Sequence, residues 1–411
     1  MILLKNCLAV LREPGRVERN ADILIREGRV EPGEIDKSGE VVDCSGKIVI
    51  PGLVNSHTHA AMTLLRGIED DLPLEPWLRE KIWPAEARLR EEDVYAGTLL
   101  ACLEMLKNGI TCFADMYFFG EAVKRAVEES RIRCVFFQAV LDAETPDSKT
   151  PEQAMKNLSR LKESELFVPG IGPHSVYTCS RETLEAVFEL SSEGYPVHIH
   201  VSETEKEVYE SVRLHGARPV EVLKNTGLLG PGTSVAHAVH LSDREIRMLA
   251  DSGTTAVNCP ASNLKLSAGI APVPEMRESG VPVALGTDSA ASNNSLNMFT
   301  EMKFASLVQR LRERIFPTKE VLNSAFGSRA IWRTGRITAG SPADLAIIDA
   351  RSAGVQPPRS LESCLVFSFS GPVWGTVVNG ELVVENGRHR ILDEETVIKK
   401  AARASARLFE L

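Results

Sequence analysis

The chain lacks several features that would assign it to well-defined classes of protein. None of its 411 residues belongs to an apolar run near the length that a membrane span needs, which is roughly 20 residues. No basic tract is present, and 47 Lys and Arg against 56 Asp and Glu give a formal net charge of −9. This balance argues against a nucleic-acid polymer as partner, but it does not exclude a substrate of nucleotide size.

Paired cysteines are also absent. The chain has 8 cysteines, and they are scattered singly without any CxxC pair. This pattern disfavours a disulfide framework and a cysteine-ligated zinc site, and it excludes the nucleobase-deaminase fold that requires P-C-x-x-C. The first residues show neither a basic region nor a signal-cleavage site. We therefore expect reduced thiols and a cytoplasmic protein.

The middle of the chain alternates short β-branched apolar runs with longer amphipathic stretches, a pattern typical of a parallel sheet wound with helices. Eight such runs would close a barrel without leaving an exposed edge strand. We therefore predict an α/β protein whose residues 51–339 form a (β/α)8 barrel of the TIM type. The runs are Ile48–Val54, Ile110–Asp115, Val135–Leu141, Val168–Gly172, Val197–Val201, Ser234–Val239, Thr255–Asn258 and Val281–Gly286.

The two chain ends differ from the middle. Both offer short strands and turns, such as Ala21–Arg26 and the hairpin signal Asn379-Gly380. Neither end has enough apolar residues for a core of its own. We predict that residues 1–50 and 340–411 combine into one small β-sandwich domain, with a last helix over Glu394–Leu411.

The placement of the histidines is the most informative feature of the sequence. His57 and His59 follow the first predicted strand, and their i, i+2 spacing points both imidazoles to one face. In isolation such a pair is weak evidence for a metal. Later strand ends repeat the pattern, however, and the carboxyl ends of barrel strands meet at one mouth. These later residues are His174, His198, His200, His237, His240 and Asp288.

Four segments carry a resemblance to a known family. PGLVNSHTHAAMTLLRG, HIHVSETEKE, AHAVHLS and GTDSAASNNSLNM resemble the amidohydrolase superfamily, particularly its mononuclear deaminase and chlorohydrolase branch. The resemblance implies one divalent metal ion and two further catalytic groups, Glu203 and His237. Three imidazoles and one carboxylate suit zinc, with iron as an alternative, and leave room for a water. The implied ligands are His57, His59, His200 and Asp288.

Two questions about this metal site arise from the residues. Some members hold two metals through a carboxylated lysine on the fourth strand, but here that strand ends in Gly172-Pro173-His174, so we expect one ion. His198 shares a face with His200 and competes with it as ligand. We favour His200, because the HxxE spacing then brings Glu203 beside the metal.

The expected mechanism is hydrolytic. A bound metal lowers the pKa of water towards ~7, Asp288 accepts the proton of that water, and His237 orients it. Glu203 protonates a ring nitrogen of the substrate and later assists the departure of ammonia.

The stretch MTLLRGIEDDLPLEPWLREKIWPAEARL resembles 5′-methylthioadenosine/S-adenosylhomocysteine deaminases. The resemblance implies that Glu86 binds the ribose hydroxyls, that His174 contacts the purine, and that Trp77 and Trp83 line the 5′ end, although both tryptophans also suit ordinary packing. The sequence departs from this family in residues 142–150, which contain no arginine for a homocysteine carboxylate. Methylthioadenosine, 5′-deoxyadenosine and adenosine therefore remain alternatives to S-adenosylhomocysteine.

Other functions stay open at this point. A guanine, triazine or pterin deaminase or chlorohydrolase would share the metal ligands and differ at Glu86 and His174. A non-catalytic scaffold is a more remote alternative, because such proteins usually lose metal ligands and this chain keeps the expected set. The predicted partner is a small nucleoside, and a homo-oligomer is compatible with the sequence.

Overall fold

Two sheets and the helices packed on them make up the described part of the chain. The computed structural model describes residues 1–32, 39–327, 335–357 and 359–409. Its strands are β1 (Ile2–Glu13), β2 (Arg16–Arg26), β3 (Arg29–Glu31), β4 (Glu40–Asp43), β5 (Lys47–Pro51), β6 (Leu53–Thr58), β7 (Ile110–Tyr117), β8 (Arg133–Val140), β9 (Phe167–Pro173), β10 (Val197–Val201), β11 (Thr233–His237), β12 (Thr255–Asn258), β13 (Val283–Leu285), β14 (Leu345–Asp349), β15 (Gly375–Val378), β16 (Glu381–Glu385) and β17 (Arg388–His389).

The helices lie mostly between the strands of the barrel. They are α1 (Leu74–Trp77), α2 (Trp83–Glu86), α3 (Glu91–Lys107), α4 (Gly120–Ser130), α5 (Pro151–Leu158), α6 (Arg181–Ser192), α7 (Glu205–His215), α8 (Pro219–Asn225), α9 (Asp243–Ser252), α10 (Pro260–Lys265), α11 (Val273–Glu278), α12 (Met298–Val308), α13 (Thr318–Ala325), α14 (Leu361–Phe367) and α15 (Glu394–Phe409). Short turns of 3₁₀ or π type span Ala60–Leu65, Leu78–Ile82 and Gln309–Arg312.

The predicted barrel is confirmed. Among the described residues, eight strands pair in the order β6 to β13 without a break in sequence order, and the ladders between them are parallel. Both faces of these strands are buried, as expected for a barrel with side chains inside and helices outside. The carboxyl ends of all eight strands therefore open at one mouth.

The barrel closes between its last and first strands through a short set of hydrogen bonds. The Asp288 N–H donates to the His57 carbonyl at 3.0 Å, and the side chain of Asn55 bridges to the backbone N–H and the hydroxyl of Thr287 at 2.9 and 2.7 Å. Gly286 permits this approach, because a Cβ there would lie 2.8 Å from the Cβ of His57. The closure brings two predicted metal ligands, His57 and Asp288, into direct contact.

The first predicted run, Ile48–Val54, is two strands rather than one, and this part of the prediction was wrong. β5 pairs with β1 and β14 in the second sheet, whereas β6 begins the barrel. The chain changes sheets at Gly52, where a Cβ would lie 2.2 Å from the Thr111 hydroxyl oxygen. An unbroken apolar run therefore conceals a change of pairing partner.

Both chain ends contribute to the second sheet, as predicted. Its nine described strands include β1 to β5 from the amino-terminal end and β14 to β17 from the carboxyl-terminal end. Their inward side chains, among them Leu4, Ile23, Leu345 and Leu382, form one apolar cluster. The hairpin β15–β16 turns at Asn379-Gly380, both with positive φ. The small domain is thus one hydrogen-bonded sheet around a shared core.

The last helix lies on the barrel. α15 packs against α3, and the Ser405 hydroxyl donates to the Leu64 carbonyl at 2.8 Å.

Positions 410 and 411 of the predicted helix lie outside the described residues, as do positions 33–38 and 328–334 of the predicted domain ranges. The domain bounds stay predictions: residues 1–50 with 340–411 for the small domain, and residues 51–339 for the barrel. None of the helices in the described part of the chain is long and apolar enough to cross a membrane.

A buried ion pair joins the two sheets. Arg133 at the start of β8 binds Asp344 at 3.0 Å, and Asp344 is 2% exposed. Removing one partner of a buried pair leaves the other charge uncompensated, at a cost of about 3–5 kcal/mol. We expect Asp344→Asn to lower the free energy of unfolding by this amount in urea titrations. Glu210→Gln, in an exposed pair with Arg213, should cost less than about 1 kcal/mol. Equal losses in the two variants would contradict this role for Asp344.

Candidate metal and substrate site

The four predicted metal ligands meet at the mouth of the barrel. His57 and His59 lie at the end of β6, His200 lies on β10, and Asp288 follows β13. The Nε2 atoms of His57 and His59 both lie 3.5 Å from Asp288 Oδ1. His59 Nε2 lies 3.3 Å from His200 Nε2. Side chains from three distant parts of the sequence thus converge on one small volume.

The donor set fits a divalent ion such as zinc. Within the described residues, the buried His57 Nε2 has no hydrogen-bond partner, and an unsatisfied buried ring nitrogen is costly unless it binds something. Three imidazole nitrogens and a carboxylate oxygen form a ligand set common for zinc. The described residues thus form a histidine-rich site that could hold a metal ion.

Hydrogen bonds behind the ligands fix their orientation. His59 Nδ1 lies 2.7 Å from the Met116 carbonyl, and His200 Nδ1 lies 2.7 Å from the His174 carbonyl. A carbonyl only accepts, so both rings carry their proton on Nδ1 and present an unprotonated Nε2 to the cluster. Burial lowers the pKa of His57 to about 4 and that of His200 well below its ordinary value, which keeps both in the neutral, metal-binding form.

Asp288 is held as a charged ligand. Its Oδ2 accepts hydrogen bonds from the hydroxyls of Ser262 at 2.5 Å and Ser292 at 2.8 Å, so Oδ1 faces the imidazoles. Burial acts to raise the pKa of this carboxyl, but His57, His59 and His237 hold it well below its usual range. Asp288 itself adopts a positive φ of 59°.

His198 lies behind the cluster instead of in it. Its Nε2 lies 2.7 Å from His57 Nδ1, and its Nδ1 lies 2.6 Å from the Ser234 hydroxyl. Both ring nitrogens are thus engaged by protein groups. Of the two histidines that compete on β10, His200 directs Nε2 at the Nε2 atom of His59, whereas His198 contacts Nδ1 of His57 and not the Nε2 atom that lies beside Asp288.

Glu203 and His237 flank the cluster. The Glu203 Oε1 atom lies 3.7 Å from His237 Nδ1, which is also 2.8 Å from Asn263 Oδ1. Burial raises the pKa of Glu203, with His237 opposing the shift. Burial would lower the pKa of His237, yet Glu203 and Asp288 raise it. A ring nitrogen of His237 also lies close to ring nitrogens of His57 and His200. His237 can therefore contact a group that is bound at the ligand cluster.

Two buried carboxylates that the sequence analysis missed support this arrangement. Glu207 accepts the N–H groups of Ser202 and Glu203 at 2.8 and 2.7 Å, and burial raises its pKa to about 8. Asp115 accepts the Ala60 N–H at 2.6 Å and the Thr58 hydroxyl at 3.0 Å. Each fixes the backbone beside a functional side chain. No spacing in the sequence signals either contact.

A large cavity connects this cluster to the surface. Its volume is about 1090 Å³, and it is lined by His59, His200, Glu203, His237 and Asp288 together with the predicted substrate residues Glu86, His174 and Trp83. Burial raises the pKa of Glu86 to about 7, and the adjacent Tyr117 hydroxyl opposes the shift. Trp77 is 3% exposed and Trp83 43% exposed, so Trp83 is the more accessible wall.

Two acidic side chains and an arginine are among the residues that line the mouth of the cavity. Asp142 and Glu144 line it, as expected from the segment 142–150. Arg181, at the start of α6, also lines it, and its Nε donates to Glu185 at 2.8 Å. An arginine was expected only after the third barrel strand, whereas Arg181 follows the fourth, β9.

Comparison with known proteins agrees with the fold. The model of the amidohydrolase family matches residues 48–383, and the chain belongs to that family. It is 42% identical to a 5′-deoxyadenosine deaminase of Methanothermobacter thermautotrophicus, over 95% of each chain. It is 41% identical to a 5-methylthioadenosine/S-adenosylhomocysteine deaminase of Thermodesulfovibrio yellowstonii, over 96% of this chain and 95% of the relative. A crystal structure of an adenosine deaminase from Xanthomonas campestris with bound zinc superimposes with a TM-score of 0.95 at 29% identity, over 100% of this chain and 99% of that one.

Proposed function

We propose that this protein hydrolytically deaminates the adenine ring of 5′-modified adenosines, releasing ammonia and the corresponding inosine analogue. The candidate substrates are 5′-methylthioadenosine, S-adenosylhomocysteine, 5′-deoxyadenosine and adenosine. The observation that carries the proposal is one cavity in which Glu203, His237 and Asp288 lie at the ligand cluster and Glu86 and His174 line the same walls. The names of the relatives support the same reaction.

The proposed cofactor is a single divalent ion, with zinc as the first candidate and iron as an alternative. His57, His59, His200 and Asp288 would hold it, and β9 ends in Pro173 without a lysine to bridge a second ion. Zinc in the Xanthomonas campestris structure supports the choice of metal. When bound, the ion would supply a water of lowered pKa, near ~7, as the nucleophile.

The residues around this position divide the proton transfers between them. Asp288 would accept the proton of the attacking water, because Ser262 and Ser292 hold Oδ2 and the ionised carboxylate faces the ligand imidazoles through Oδ1. His237 would orient the nucleophile through a hydrogen bond at Nε2, while its Nδ1–H donates to Asn263 Oδ1. Glu203, whose pKa is raised by burial, donates a proton to the ring nitrogen next to the attacked carbon and later assists the leaving ammonia.

Residues in the outer part of the cavity would bind the nucleoside. The two oxygens of Glu86 would accept the two ribose hydroxyls, and His174 would contact the purine. Trp83 would cover the apolar 5′ substituent, a role supported only by its position on the cavity wall. Because the mouth also carries Arg181, the acidic segment 142–150 does not by itself exclude a substituent with a carboxylate.

Glu86 also separates this proposal from its rivals. Guanine, triazines and pterins have no ribose, so a partly buried carboxylate with a raised pKa would be a liability in a site for those substrates. A non-catalytic scaffold would have no need for the buried Nε2 atom of His57, which has no hydrogen-bond partner among the described residues. We also propose a cytoplasmic location, which the eight free cysteines of the described residues support.

A substrate panel tests the proposal directly. We expect zinc-loaded protein to release ammonia from the adenosine derivatives and not from guanine. Glu86→Ala should raise KM for nucleosides by about 10–100-fold, because two hydrogen bonds are lost at a net cost of about 0.5–1.5 kcal/mol each. Zinc content should not change.

Glu80→Ala, on the exposed side of the neighbouring turn, is the matched control and should behave like the parent. Turnover of guanine without turnover of any adenosine derivative would overturn the substrate assignment. Unchanged nucleoside kinetics in Glu86→Ala would overturn the ribose contact alone.

A further inference from the structure

Behind the candidate metal site, a chain of hydrogen bonds runs through the barrel interior. His57 Nδ1 lies 2.7 Å from His198 Nε2, His198 Nδ1 lies 2.6 Å from the Ser234 hydroxyl, and that hydroxyl lies 3.3 Å from the Val197 carbonyl. His57 and His198 are 0% exposed and Ser234 2%. His198 and Ser234 are direct partners in the parallel ladder between β10 and β11, so their side chains are neighbours on one face.

His57 differs from the other two imidazole ligands in this respect. His59 and His200 direct Nδ1 at backbone carbonyls, which accept only and so fix the ring proton. The partner of His57 is another imidazole, which accepts at Nε2 only when its own proton is on Nδ1. The lone pair of His57 Nε2 is therefore available for a metal only if His198 carries its own proton on Nδ1, the atom that faces Ser234.

We infer that Ser234 acts through His198 to keep the proton of His57 on Nδ1, and that Ser234 and His198 are positioning residues of the metal site. In this arrangement His57 Nδ1–H donates to His198 Nε2, His198 Nδ1–H donates to Ser234, and the hydroxyl donates to the Val197 carbonyl. Each donor in the chain meets an acceptor, and His57 Nε2 keeps its lone pair.

The opposite arrangement is poorer in hydrogen bonds. The hydroxyl would donate to His198 Nδ1, His198 Nε2–H would donate to His57 Nδ1, and the last proton would move to His57 Nε2. A proton on that atom would face Asp288 Oδ1 at 3.5 Å, longer than an ordinary N–H···O hydrogen bond, and would find no better acceptor among the described residues. The Val197 carbonyl would also lose the hydroxyl. The hydroxyl therefore selects the arrangement that leaves His57 able to bind a metal.

The inference rests on the proposed metal site but not on the proposed substrate. It predicts that Ser234→Ala, which removes the hydroxyl and leaves the four ligands in place, weakens zinc affinity by about 10–100-fold, the range typical for groups behind metal ligands. Ser234→Thr keeps the hydroxyl and should retain most of the affinity. Ser306→Ala is the matched control, because Ser306 is also a buried hydroxyl bonded to a carbonyl, that of Phe316 at 3.2 Å.

Two measurements test the inference. Competition with a chelator gives the zinc dissociation constant of each variant, and nitrogen NMR of histidine-labelled, metal-free protein shows which ring nitrogen carries the proton. We expect Nδ1–H on both His57 and His198 in the parent, and Nε2–H on His57 in part of the Ser234→Ala population.

The outcomes distinguish the possible failures. A parent with Nε2–H on His198, or Ser234→Ala with parental zinc affinity, would overturn the inference. A parent that binds no zinc would overturn the metal site itself, while the NMR spectrum would still report the direction of the hydrogen-bond chain. If Ser306→Ala loses as much zinc affinity as Ser234→Ala, the loss reflects general destabilisation of the protein. That result would also contradict a specific role for Ser234.

Discussion

Replacing Glu203 with glutamine should lower kcat for deamination by about 10²–10⁴-fold, the usual contribution of a positioned acid–base group. The amide has nearly the same shape but cannot donate and recover a proton in one cycle. Burial raises the pKa of Glu203, so the parent can hold the proton that the ring nitrogen needs. KM should change much less, because the lost interaction is made mainly in the transition state. Steady-state ammonia release with a 5′-modified adenosine measures both constants.

The control for this variant lies two residues further along the chain. Glu205→Gln makes the same chemical change on a side chain that is 90% exposed, and it should leave kcat unaltered. Zinc content of Glu203→Gln should match the parent, because the four ligands are untouched. If Glu203→Gln keeps parental kcat, proton transfer at the ring nitrogen belongs to another group and the mechanism proposed for this site is wrong.

The sequence carried enough information to predict the barrel but not every change of sheet. Alternation of β-branched runs with amphipathic helices indicates parallel β/α units, because the long crossover between parallel strands is usually a helix. The run Ile48–Val54 shows the limit of this reasoning. Apolar periodicity reports that a segment is extended and buried on both faces, but the pairing partner depends on contacts distant in sequence. Here Pro51 pairs with Leu345, and Leu53, two residues later, pairs with Ile110.

The candidate ligands could be found from the sequence because the barrel topology gathers strand ends. His57, His59, His200 and Asp288 each follow or end a strand, so their meeting point follows from the fold. The supporting groups do not have this property. Glu207 reaches back to two backbone N–H groups from the first turn of α7. That contact requires the exact path of the loop before the helix, which no residue spacing encodes.

His198 shows the same limit for residues within a strand. The i, i+2 spacing places His198 and His200 on one face and makes both candidate ligands. Their difference arises from depth in the barrel, since His198 lies one layer below and meets Ser234 and His57. Layer depth depends on the register between strands, and register is a tertiary property.

Replacing Asp288 with asparagine should have the largest effect of any single change at this site. Asp288 is assigned two roles, as the charged metal ligand and as the acceptor of the proton of water, and the amide performs neither well. We expect deamination to fall by more than about 10⁴-fold, at or beyond the upper end for one acid–base group, with zinc bound more weakly as well. Measuring turnover at saturating zinc separates the loss of the proton acceptor from the loss of the ion.

A graded variant tests whether the carboxylate is the source of that effect. Ser292→Ala removes one of the two hydroxyls that bind Asp288 Oδ2 and leaves the bond from Ser262 in place. The carboxylate then keeps its charge but loses part of its orientation, so turnover should drop by only about 10-fold, as expected for one outer hydrogen bond. Asp251→Asn, on an exposed position at the end of α9, should leave zinc affinity and turnover unchanged. If Asp288→Asn turns over substrate as fast as Ser292→Ala, the charge of Asp288 contributes nothing to the reaction, and another residue must accept the proton of the attacking water.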